Sequence, residues 1–253
     1  MQAELVRVFV TKTHGNTGSV VRSAYRFVLC AAIALSVCGA RAETVIWVDT
    51  FNDVVADDGL TSVREAISAA NAGTDDYRIV CPRGTLWAYT VSGKGDNANA
   101  TGDFDINTPG RQVVFEGSGG GGGPLPSAAL FSGEDAERVF HVHANSRVVM
   151  NGIVISRGLA TDDGVVSGSL AAGGGILVAG GAQLRLNGTA VRNCSARGVW
   201  AAGGGIFLDG GASLTVEGGD FSGNSALAAD GADGTLGGAG TAGAVSTPAL
   251  SGP

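Results

Sequence analysis

The sequence predicts an all-β fold: a right-handed parallel β-helix, or solenoid, with an N-terminal capping helix. Three observations predict it. Residues 171–230 are two copies of one 30-residue unit joined without a gap, AAGGGILVAGGAQLRLNGTAVRNCSARGVW and AAGGGIFLDGGASLTVEGGDFSGNSALAAD. A fixed period of this length marks a solenoid. Within each copy the large apolar residues stand two apart, as in Ile176 and Val178 or Leu184 and Leu186, which is the strand period and not the helical one. Glycine supplies the third observation: 34 of the 43 glycines lie after Gly102. Such density suits tight corners between short strands and argues against the long helices of ankyrin or tetratricopeptide arrays.

The two copies place Ala171 on Ala201, Ile176 on Ile206, Leu184 on Leu214, Leu186 on Val216 and Val191 on Phe221. One coil cannot bury its inward side chains alone. Stacked coils can, because each covers the next and pairs its backbone at a spacing of about 4.8 Å.

Residues 1–42 read as an export signal. Arg22 and Arg26 precede an apolar run from Phe27 to Val37, and Ala40-Arg41-Ala42 supplies an A-x-A cleavage site. The run is short for a bilayer span. Leu35-Ser36-Val37-Cys38 resembles a lipobox, with valine a poor fit before the cysteine. Cleavage removes Cys30 and Cys38 and leaves Cys81 and Cys194, too few for a disulfide framework. Free, buried thiols are expected, with one bond between them as the alternative.

Residues 43–102 form the N-terminal cap. Thr44–Asp49 is an opening strand, followed by a helix over Ser62–Asn71. Ser62 and Glu65 have capping-box spacing. Val63, Ala66, Ile67 and Ala70 form one apolar face, and Asn71 and Gly73 close the helix. A lone amphipathic helix ahead of a solenoid covers apolar side chains and strand edges of the first coil.

At these residues the chain resembles a known family. DDGLTSVREAISAAN is similar to the opening motif of CSLREA-type secreted β-helix proteins, with Thr61 in place of the cysteine and Val63 in place of the leucine. The likeness continues in Gly102–Ile106 (GDFDI), in Arg138–Gly158 (RVFHVHANSRVVMNGIVISRG) and in the GGGI starts at Gly173 and Gly203. The repeats also resemble those of chlamydial polymorphic outer-membrane proteins and other autotransporter passengers. The resemblance spans residues 44–230 and implies export, a right-handed β-helix and a cell-surface or extracellular role. It does not imply a conserved catalytic site.

Residues 103–230 are the coils. Phe104 and Ile106 recur as Phe140 and Val142, 36 residues on, and Val113–Gly117 recurs as Val148–Gly152 after a one-residue slip. Longer periods accommodate corner loops, Ser118–Ala136 with its five-glycine run and Leu159–Leu170. Residues 231–253 collapse to Gly, Ala, Thr and Ser, a tail or incomplete coil. One reading of that collapse is a truncated fragment of a longer autotransporter-like protein.

The net charge is −7, and it becomes −11 without residues 1–42. This disfavours nucleic acid, whose phosphates need cationic partners, and disfavours anionic lipid. It favours solubility of a glycine-rich chain.

Candidate chemistry is sparse. His141 and His143 share one strand face as metal ligands do, but the repeat alignment turns Phe140 and Val142 inward. Two exposed surface histidines, with no third ligand, are the expectation. Enzymes of this shape need clustered carboxylates with a basic residue. Asp209 and Glu217, Asp162 and Asp163, and Arg185 and Arg192 do not align into such a site. The glycine runs lack the Lys-Ser/Thr and the helix of a phosphate loop, and calcium-binding nonapeptide repeats are absent. Asn99, Asn187 and Asn193 open N-x-S/T triplets that carry no weight beside a bacterial-style leader. The sequence therefore predicts no catalytic, cofactor or metal residue. It predicts an exported, adhesin-like surface module binding polysaccharide or a host or cell-surface protein. The alternative is a lyase or hydrolase acting on an acidic polysaccharide.

Overall fold

The computed structural model describes residues 41–83, 86–88, 91, 93, 95–117, 128–164 and 170–229. The leader up to residue 40, the five-glycine run and the tail lie outside these residues. In chain order the elements are β1 (Glu43–Trp47), α1 (Val63–Ala72), β2 (Asp76–Cys81), β3 (Leu86–Ala88), β4 (Phe104–Ile106), β5 (Gln112–Gly117), β6 (Ala129–Ser132), β7 (Phe140–Val142), β8 (Arg147–Asn151) and β9 (Ile153–Ser156). There follow β10 (Leu159–Ala160), β11 (Leu170–Ala172), β12 (Ile176–Val178), β13 (Gln183–Arg192), β14 (Ser195–Gly198), β15 (Trp200–Ala202), β16 (Ile206–Leu208), β17 (Ser213–Ser222) and β18 (Ser225–Ala228).

Every strand pairing is parallel and joins one coil to the next, giving a β-solenoid of about five turns. One ladder runs β1-β2-β5-β8-β13-β17, a second β3-β6-β9-β13, and a third β4-β7-β12-β16. The first ladder starts at β1, ahead of the expected coil start at Asp103. The long strand β13 covers both β8 and β9. Those two are separated by Gly152, whose φ is +62°, and Gly188 and Gly218 also take positive φ one and two coils on. This column of glycines turns the corner where the first two ladders meet.

The registers match the sequence alignment residue for residue. Ile176 pairs with Ile206, Leu184 with Leu214 and Val191 with Phe221, and Phe104 with Phe140. Inward residues of successive coils therefore stack into one core. That core is not uniformly aliphatic: Phe104, Phe115, Phe131 and Phe140 meet edge-on or tilted, with centroids 5.2–6.4 Å apart. The exposed side chains of Val216 and Phe221 in the last described coil contrast with the buried Leu186 and Val191 one coil earlier.

The GGGI starts have a steric cause. Gly173 and Gly203 sit at φ +66° and +58°. At Gly174 a Cβ would fall on the carbonyl groups of Ser195 and Gly204, and at Gly204 on that of Ser225. Coils pass too closely there for any side chain.

The helix forms as its sequence dictates. Ser62 accepts from Glu65 N, and Glu65 returns a carboxylate oxygen to Ser62 N at 2.8 Å, completing the capping box. Val63, Ala66, Ile67 and Ala70 enter the common core, and the helix packs on β2 and β4. Gly73 caps the helix end as expected. Gly73 is extended, at φ −81°, and a Cβ there would overlap the Tyr77 phenol, so packing selects this glycine.

Polar side chains at and around this helix tie it to the coils. Arg64 is fully buried and makes a two-pronged bond to Asp53 (2.7 and 3.0 Å) while donating to the carbonyls of Asn99 and Gly102. Asn71 donates to Asp105 O and accepts from Asn107 N. Arg111 donates to the carbonyls of Ala70 and Asn71 at the helix end, satisfying groups the helix itself leaves unpaired.

Candidate metal centre

Three side chains on the third ladder converge. β4 and β7 pair so that Asp105 lies directly beneath His141. His143 follows two residues on, and its imidazole stacks on that of His141 with centroids 3.9 Å apart. Asp105 Oδ1 is 2.7 Å from His143 Nε2 and 3.4 Å from His141 Nδ1. The three potential ligand atoms lie within 4.8 Å of one another.

This corrects the expected pair of exposed histidines with no third ligand. The alternation does turn both outward, since Phe140 and Val142 are buried in the core. They are nevertheless shielded: their side chains are only 9% and 14% exposed, and Asp105 is 0% exposed. Shielding comes from an irregular coil length. The pairing offset is 36 residues at Ala160–Ala196 and 30 at Leu170–Trp200. Six additional residues therefore lie between Ala160 and Leu170. The described part of this corner brings Gly164 over His141, where a Cβ would stand 2.9 Å from His141 Cε1 and 2.8 Å from Leu177.

Arg138 anchors that corner. Its guanidinium donates to Asp103 Oδ2 (2.8 Å), to Asp162 Oδ1 (3.0 Å) and to the carbonyls of Asp162, Ala172 and Gly173. Asp162 Oδ1 also accepts from Gly164 N, which fixes the turn. Burial works against the Arg138 charge, but the carboxylates of Asp103 and Asp162 outweigh it and hold the group firmly protonated. Burial pushes the Asp103 carboxyl above its ordinary range, more than Arg138 pulls it down. Nearby, burial opposes ionisation of Asp96 more than any single contact favours it, yet the N–H groups of Ala98, Thr101 and Ala100 together hold its carboxyl below the usual range.

Asp105 carries a further peculiarity. Oδ1 faces both imidazoles, whereas the buried Oδ2 has no hydrogen-bond partner. Buried polar atoms rarely stay unsatisfied, because leaving one so costs about 1–3 kcal/mol. Two imidazoles and a carboxylate are donors suited to a late transition metal.

The other residues weighed in the sequence do not join this cluster. Glu217 pairs with Arg185 and Asp220 with Arg192 along exposed strand β17. Asp209 accepts from Gly210 N at a turn, and Asp162 belongs to the Arg138 network. Cys81 and Cys194 are both free and buried. Burial pushes the Cys194 thiol up to about 11 and Cys81 higher still.

The signal for Asp105 was present in the sequence. The 36-residue offset that matches Phe104 to Phe140 also matches Asp105 to His141. The inward residues of that alignment mark the core, and the outward row between them carries Asp105 and His141. Searches of protein-family models, curated proteins and solved structures return no match to this chain.

Proposed function

We propose that this chain is an exported, surface-exposed β-solenoid that binds polysaccharide along a lateral sheet. One observation carries the reading. The sheet of β5, β8, β13 and β17 bears a shallow depression of about 240 Å³, and its polar lining is Gln112, Arg147, Gln183, Arg185, Ser213 and Thr215. Gln112, Arg147, Gln183 and Ser213 occupy one register row across four coils. Each coil thus presents an amide, guanidinium or hydroxyl about 4.8 Å from the last, close to the advance of one sugar along an extended glycan.

The leader over residues 1–42 supports export, and the resemblance to CSLREA-type and autotransporter passenger repeats supports a surface location and a right-handed coil. The capping box and core-facing side chains of α1 support its role as the cover of the first coil. Affinity electrophoresis of the full chain through gels containing neutral or acidic polysaccharides tests the binding. We expect retardation in at least one glycan gel and its loss in the Arg147→Ala/Gln183→Ala variant. Equal mobility in every gel, or unchanged retardation of the double variant, refutes the reading.

A further inference from the structure

We propose that Asp105, His141 and His143 bind a late first-row divalent metal ion, with zinc as the reference member of the class. The carboxylate and the imidazoles come from adjacent coils, so the ion would tie β4 to β7. Three features support this inference together. The donor set is two imidazoles and one carboxylate, which suits zinc, cobalt, nickel or copper(II) and is poor for calcium or magnesium, whose preferred ligands are all oxygen. The ligand atoms are already gathered, within 4.8 Å of one another, before any ion draws them in. The buried, unpartnered Oδ2 of Asp105 is what a carboxylate retains when its missing partner is a cation.

A hydrogen-bonded Asp–His arrangement accounts for less. It satisfies Oδ1 through His143 at 2.7 Å but leaves Oδ2 without a partner. It also stacks a second imidazole against the first with no hydrogen bond from His141 Nδ1, which stands 3.4 Å from Oδ1. A metal ion uses lone pairs on both rings at once. Asp105 is held from behind: its N–H donates to Asn99 Oδ1 and its carbonyl accepts from Asn71. Such backing fixes a ligand before binding and strengthens the site. With three protein ligands, a fourth position remains for Oδ2 or a solvent molecule, reached past the partly exposed edge of His143.

The chain has one other histidine, His14, so the assay uses untagged full-length protein carrying His14→Gln. After dialysis against a chelator, cobalt(II) is titrated and followed by its visible absorption, then displaced by zinc. We expect one cobalt per chain with the intensity of a low-coordinate nitrogen–oxygen site, displacement by zinc, and no competition from calcium or magnesium in large excess. His143→Gln, whose ring lies at the edge of the cluster, should weaken cobalt binding by more than about 10-fold. His141→Gln should do the same, with unchanged circular dichroism in both. Zinc should raise the unfolding midpoint of the parent and not that of the variants. Absence of cobalt uptake, or equal uptake by the His141→Gln/His143→Gln double variant, overturns the proposal.

Discussion

Arg64→Met is the most revealing single change in the N-terminal region. Arg64 is fully buried, and its partner Asp53 has a side chain only 4% exposed. Methionine fills similar volume but takes the guanidinium away from the buried Asp53 carboxylate. Breaking a buried pair in this way costs about 3–5 kcal/mol. The carbonyls of Asn99 and Gly102 lose a donor as well, and the guanidinium is lost from its place 4.9 Å from the Phe104 ring centroid. These losses share one side chain and do not add; about 4 kcal/mol is a fair total. With a urea dependence near 2.5 kcal/mol per molar, the midpoint falls by roughly 1.5 M. Urea unfolding followed by far-ultraviolet circular dichroism measures it. Arg64→Lys should recover little, because an ammonium cannot reproduce the two-pronged contact. The Asp53→Asn/Arg64→Met pair should be less destabilised than the sum of its single changes by at least about 2 kcal/mol. A midpoint shift below about 0.3 M for Arg64→Met, or strict additivity in the pair, would refute this account of how the helix is held.

Two further expectations concern the coils. Gly174→Ala places a methyl group on the backbone of the adjacent coil at Ser195 and Gly204; since neither carbonyl can retreat without breaking the stack, a loss of about 2–4 kcal/mol is expected by urea unfolding, whereas Gly210→Ala, with nothing within 4 Å of its Cβ position, should change stability little. Cys194, with its thiol pushed up to about 11, should be about 1% thiolate at pH 9, where an unperturbed thiol is more than half ionised. Alkylation by iodoacetamide at pH 9 should therefore be slower than in urea by about two orders of magnitude or more, and mass spectrometry of the native protein showing rapid labelling would contradict the burial.

Much of the fold could be read from residue types because stacking enforces it. A repeat in which Ile176 must cover Ile206 and Leu184 must cover Leu214 exposes its own register. The same logic reached the degenerate coils through Phe104 and Phe140. What escaped was anything fixed by close approach between non-equivalent segments. Gly73 reads as the helix end, but what requires a glycine there is the Tyr77 phenol packed against it. Arg64 reads as one charged residue of a helix but is buried, because Asp53 and the carbonyls of Asn99 and Gly102 converge on it from outside the helix. The aromatic cluster draws on β4, β5, β6 and β7, so no local window contains it. For the histidines, alternation gave the direction of each ring correctly. Their burial is not legible there, because the corner that covers His141 follows it by some twenty residues and no periodicity describes it.

That corner shows how this architecture acquires local chemistry. Backbone pairing resumes in register on both sides of it, so its length is independent of the ladders. Lengthening a surface loop has a small entropic cost that grows only logarithmically. A coil can therefore gain a roof over one patch of its flank while its interior stays unchanged, and can lose it as readily. Shortening the chain by six residues between Ala160 and Leu170 would give that coil the same length as the one after it and is expected to uncover the His141 imidazole that Gly164 now touches. In this molecule the strands serve as a ruled surface on which positions are addressed by row and by turn. The unequal lengths of the corners decide which addresses are sheltered enough to hold something.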